Sequence, residues 1–80
     1  MHEGQASLQT QILRYLQHNT YAAETAEGVN SVWLGRPPTA EKLLEVERAL
    51  DGLVYRGVLE KHRLPGGAAA YRRVGCRDSK

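Results

Sequence analysis

Gly35-Arg36-Pro37-Pro38 constrains the fold more than any other stretch of this 80-residue chain. Glycine ends helices readily, and each proline pushes the residue before it out of helical geometry. Any helix upstream must stop by Leu34, and a new one can start only after Pro38. Thr39 is a good N-cap for it, with Glu41 in the first turn, where the helix dipole favours an anion. Leu43, Val46, Leu50, Leu53 and Val54 then form one apolar stripe at helical spacing, and Gly57 stops the run. The pattern predicts a long helix over 39–56, the main element of the chain.

On the upstream side, Leu8, Ile12 and Leu16 recur every four residues with Leu13 and Tyr15 beside them. This predicts a first helix over 7–18, capped by Ser7 and ended by His18-Asn19, since Asn tolerates a left-handed cap. Thr20-Tyr21-Ala22-Ala23 is too short for a helix and suits at most a brief extended segment. Thr25 is the next N-cap, followed by Ala26, Val29 and Trp33 at helical spacing with Val32 and Leu34 flanking, which predicts a second helix over 25–34. Gly28 inside it points to a close helix approach, and Trp33 is expected to close the space between the second and third helices. Downstream of Gly57 the period changes. Val58 to Leu64 reads as a strand, Pro65-Gly66-Gly67 as a turn, and Ala68 to Val74 as a returning strand in which Tyr71 is expected to pack. The three alanines weaken that strand, because Ala is a poor strand former. One domain over 7–74 is expected, between a disordered N-terminus (1–6) and a flexible tail (75–80), since a chain this short buries only roughly 60–65% of its unfolded surface and supports one core.

Composition narrows the function classes. Cys76 is the only cysteine, so no intramolecular disulfide or cysteine-based metal site can form, which fits a reducing cytoplasm. The first residues are polar with no apolar signal region after them, and the apolar runs are too short to span a membrane. His2, His18 and His62 lack metal spacing. No phosphate loop or nucleophile elbow is present, and pairs such as Glu41 and Glu45 read as solvated charge on a helix exterior. No enzyme, cofactor or metal is expected. The informative signal is charge asymmetry. The net charge is +2, yet residues 1–55 carry four basic against seven acidic side chains and residues 56–80 carry seven basic against two acidic, balances of −3 and +5.

Ala49-Leu50-Asp51-Gly52-Leu53-Val54-Tyr55-Arg56-Gly57-Val58-Leu59-Glu60 is similar to the junction at which the third helix of winged helix-turn-helix proteins passes into the first wing strand. With the order of elements from Ser7 to Val74, the chain resembles that superfamily. The resemblance implies an α+β, mainly α fold of three helices followed by a two-stranded β-hairpin wing. It also implies that, in DNA-binding members, the N-terminal half of the third helix enters the major groove while the wing touches phosphate or the minor groove.

The matching recognition-helix positions are Thr39, Ala40, Glu41, Lys42, Leu44, Glu45 and Arg48. They depart from a groove reader, because Glu41, Glu45 and Glu47 outnumber Lys42 and Arg48, Asp51 adds another negative charge, and carboxylates are repelled by phosphate. Leu44 among them suits a protein-facing surface. The wing suits nucleic acid better, with Arg56, Lys61, Arg63, Arg72 and Arg73 as the expected phosphate contacts. The same charges also serve as the ordinary protection of a solvated hairpin edge. The leading expectation is thus a small cytoplasmic regulator of transcription that contacts double-stranded DNA through a basic wing, alone or as a homodimer. The alternative is a winged-helix protein-interaction module that uses the acidic third helix. A basic strip continuous from wing to third helix is what DNA predicts, and an acidic interruption is what a protein partner predicts.

Overall fold

The computed structural model describes the backbone of residues 4–75 and the side chains of residues 8–75. Three helices and a three-stranded antiparallel sheet make an α+β fold, about half of it helical. In chain order these are α1 (Gly4–His18), β1 (Ala23–Thr25), α2 (26–33), α3 (Ala40–Tyr55), β2 (Leu59–Arg63) and β3 (Ala69–Arg73).

The long helix forms as its signals predict. Thr39 takes the extended N-cap conformation and its hydroxyl accepts from the Lys42 N–H at 3.1 Å. At the other end Gly57 adopts φ +81°, its N–H donates to Val54 O and that of Val58 donates to Leu53 O, both at 2.9 Å. These two bonds are the Schellman closure that a glycine just past the cap allows.

The first two helices depart from expectation. α1 begins at Gly4, so residues 4–6 are helical and Ser7 is not its cap; Gln5 and Ala6 are good helix formers. Residues 1–3 and 76–80, where the ends and Cys76 were expected to be loose, lie outside the described residues. Asn19 does not go left-handed, since among the described residues positive φ is confined to glycines. Its side-chain amide closes α1 by donating to Tyr15 O at 2.9 Å. α2 is capped by Thr25 as expected but keeps α-geometry only over Ala26–Gly28, then widens into a π-helical stretch, Val29–Trp33. Over Gly28 lies the side chain of Glu24, not another helix. The close approach is at Gly52 of α3, where a Cβ would sit 2.6 Å from Gln9 Nε2 of α1.

The sheet order is β1-β3-β2, so the expected two-stranded wing is a three-stranded sheet with β3 at its centre. Glu24 pairs with Tyr71 on one side of β3, and Lys61 pairs with Tyr71 on the other. Ala23-Glu24-Thr25 has neither the alternation nor the propensity of a strand; it is one because the second edge of β3 hydrogen-bonds to it. Ile12 and Leu16 of α1, Ala26 and Val29 of α2, Val46, Ala49, Leu50 and Leu53 of α3, Leu59 and Tyr71 form the core. Trp33 is only half-buried and stacks on Tyr15 of α1, with ring centroids 4.8 Å apart, so it fills the α1–α2 side and not the space between α2 and α3.

Candidate nucleic-acid interface

Strand register decides which wing cations can act together. Successive side chains of a strand point to opposite faces, and directly paired residues share a face. Leu59 pairs with Arg73, Lys61 with Tyr71, and Arg63 with Ala69. Because Leu59 and Tyr71 are buried, this is the face turned to the core, and it carries Lys61, Arg63 and Arg73. Glu60 pairs with Arg72 and His62 with Ala70, so Arg72 lies on the opposite face.

The five expected contacts therefore do not form one patch. Arg72 Nη2 is 3.8 Å from Glu60 Oε1, which also meets His62 Nε2 at 2.7 Å, and the Arg72 Nε is buried without a hydrogen bond. Arg56 turns to α1, where its Nη1 donates to Gln9 Oε1 at 2.9 Å. Lys61 is partly engaged, with Nζ 3.8 Å from Asp51 Oδ1 and 5.7 Å from the Tyr71 ring centroid. The same Asp51 oxygen accepts from the Tyr71 hydroxyl at 3.4 Å. Burial pushes the Tyr71 phenol above its ordinary value, and the charge of Asp51 adds to the rise. Arg63 and Arg73 are exposed and, among the described residues, in no ion pair.

The recognition-helix positions are likewise dispersed. At about 100° per residue, Leu44 and Arg48 share the outer face of α3, while Lys42 lies beside the buried stripe and is half-buried. The Thr39 hydroxyl is occupied by capping. Glu45 Oε1 meets Arg36 Nη2 at 2.6 Å, so this carboxylate ties the α2–α3 loop to the helix. Leu44 is 49% exposed, as its place off the stripe predicts. Tyr55, 92% exposed, was not singled out in the sequence. Its spacing of eleven from Leu44, three helical turns, could have revealed it.

Between α3 and the hairpin runs a cleft of about 370 Å³ whose lining includes Glu27, Leu43, Glu47, Asp51, Lys61 and Tyr71. Three carboxylates against one ammonium make it acidic. The basic surface of the hairpin thus stops short of α3 and does not continue along it. Among the described residues no cluster of three or more histidines, cysteines and acids could hold a metal ion, and no helix is long and apolar enough to cross a membrane. No family model matches the chain, no curated protein matches it, and no solved structure matches it.

Proposed function

We propose that the chain is a winged-helix domain whose hairpin, but not its third helix, holds double-stranded DNA by the phosphate backbone, as a small regulatory DNA-binding protein of the kind the sequence resembles. Support for the arrangement comes from the order of elements, three helices followed by the antiparallel hairpin of β2 and β3. The observation that carries the ligand is that Arg63 and Arg73, exposed on one face of the hairpin, are in no ion pair among the described residues, whereas Lys61 between them is engaged by Asp51. Two or three such contacts give weak, sequence-independent binding, because phosphate contacts position a protein without reading bases.

Salt dependence tests this. Each phosphate contact contributes about −0.9 to the slope of log affinity against log salt. Replacing Arg63 and Arg73 with Gln is expected to reduce that slope in magnitude by about 2 on a random duplex. Arg72→Gln, on the opposite face and paired with Glu60, is expected to leave it unchanged. The parental slope in a folded Arg63→Gln/Arg73→Gln variant, or no binding of the parent even at low salt, removes the reading.

The acidic cleft favours a second reading, a winged-helix module for protein contact without DNA. Failure of duplex binding with the fold intact is the result that selects it.

A further inference from the structure

Leu44, Arg48, Asp51 and Tyr55 follow one another at spacings of four, three and four. At about 100° per residue they fall within roughly 60° of arc, opposite the buried stripe of α3. This is the seam spacing of two helices packed knobs-into-holes, where the repeat averages 3.5 residues. Leu44 and Tyr55 present their apolar groups to solvent, at 49% and 92% exposure. Neither contributes to the core of its own domain.

The seam is also self-complementary. Its midpoint lies between Arg48 and Asp51, with Leu44 and Tyr55 equally far from it. When two such helices lie antiparallel about a two-fold axis at that midpoint, Leu44 of each copy meets Tyr55 of the other, and Arg48 of each meets the other's Asp51. Apolar faces apolar and cation faces anion, twice over, as an isologous contact requires. Arg48 makes no ion pair within its own domain among the described residues. The Asp51 side chain is 60% exposed, and only its Oδ1 is used by Lys61 and Tyr71. A generic basic partner accounts for the carboxylates of α3 but not for an arginine at the centre of the seam.

We infer that the outer face of α3 is a homotypic docking surface, on which a second copy of this chain packs its own α3 antiparallel. The inference does not rest on DNA being the ligand of the hairpin. A single helix pair buries less than a standard interface, below about 1,200 Å² in total, so association is weak and reversible, visible at about 10–500 µM protein.

Sedimentation of the full chain without nucleic acid, over this range and up to about 1 mM, reads the association. Leu44→Glu and, separately, Arg48→Glu are expected to weaken dimerisation about ten-fold or more, because the first sets a charge against Tyr55 and the second sets like charges against each other at both ends of the two-fold. Both sites are exposed, and circular dichroism is the check that each variant is folded before its association is read. Cross-linking checks the register. With Cys76→Ser as background, Leu44→Cys/Tyr55→Cys is expected to yield a disulfide-linked dimer on mild oxidation. Leu44→Cys alone is not, since the two copies of residue 44 lie about 16 Å apart along the seam. A chain monomeric to about 1 mM overturns the inference. So do a dimer indifferent to both charge variants, which places the contact on another surface, and a single-cysteine variant that links as readily as the double one.

Discussion

Two polar side chains set the chemistry of the interior. Asn30 is 1% exposed, and its Nδ2 donates to Pro37 O at 2.9 Å while the Arg36 N–H donates to the Asn30 backbone carbonyl at 2.9 Å. One residue of the π-helical stretch thereby holds the loop that Gly35 and the prolines open. Asn30→Ala removes the donor to Pro37 and is expected to cost about 1–3 kcal/mol by chemical denaturation. Tyr71 sits below Lys61 with its hydroxyl on Asp51. Its phenol titrates higher in the folded chain than the ordinary value of 10.0. In the window between the two values the unfolded chain has lost the proton that the folded chain keeps, so stability falls as pH rises through it. The contribution is complete below pH 10 and lost above the folded value. Tyr71→Phe is expected to flatten the alkaline limb of a stability-against-pH curve relative to the parent; parallel limbs would show that Tyr71 does not carry it.

Among the elements, α3 was the most legible and β1 the least. The N-cap, apolar stripe and glycine stop of α3 are local signals that agree with one another, and the helix formed within a residue of its expected ends. Leu50 is fully buried at its centre. Leu50→Ala is expected to cost about 2–5 kcal/mol. A domain of this size has roughly 5 kcal/mol in all, so the variant should be largely unfolded near room temperature. A thermal midpoint within a few degrees of the parent would contradict the packing described here. α2 was half-legible: Thr25 announced its start, but its widening after Gly28 comes with Asn30 contacts to Arg36 and Pro37, six and seven positions on, which no local pattern encodes. The sequence suits at most a brief extended segment over Thr20–Ala23, and β1 forms two to three residues later, where it pairs with β3.

For the molecule as a whole, the charge asymmetry between residues 1–55 and 56–80 becomes a division of surfaces, with carboxylates on α3 and along its cleft and, on the hairpin, Arg63 and Arg73, which are in no ion pair among the described residues. If the hairpin alone meets duplex, Glu41→Gln, at the far end of α3, should leave duplex affinity nearly unchanged at physiological salt, where charges more than about 8 Å from the phosphates are largely screened. A marked gain in affinity would instead place α3 against the backbone and revive it as a groove reader. The candidate site was legible as a list of cations but not as a surface. Lys61, Arg63, Arg72 and Arg73 are near neighbours in sequence, yet only register tells that Arg72 faces away from the other three. Arg56 belongs to α1 through a bond spanning 47 residues.

By itself the sequence determined the ends of α3, the N-cap of α2, which stripe of each helix is apolar, the turn at Gly66-Gly67, and the charge each half of the chain carries. All of these follow from a residue's own conformational preferences or from a period of two or 3.6 within one element. Tertiary structure alone decided the third strand, the stacking of Trp33 on Tyr15, the shift of α2 into π-geometry, and which charges are spent on neighbours or left for a partner. Each of these depends on contacts between elements distant in sequence, whose energies no window along the chain contains.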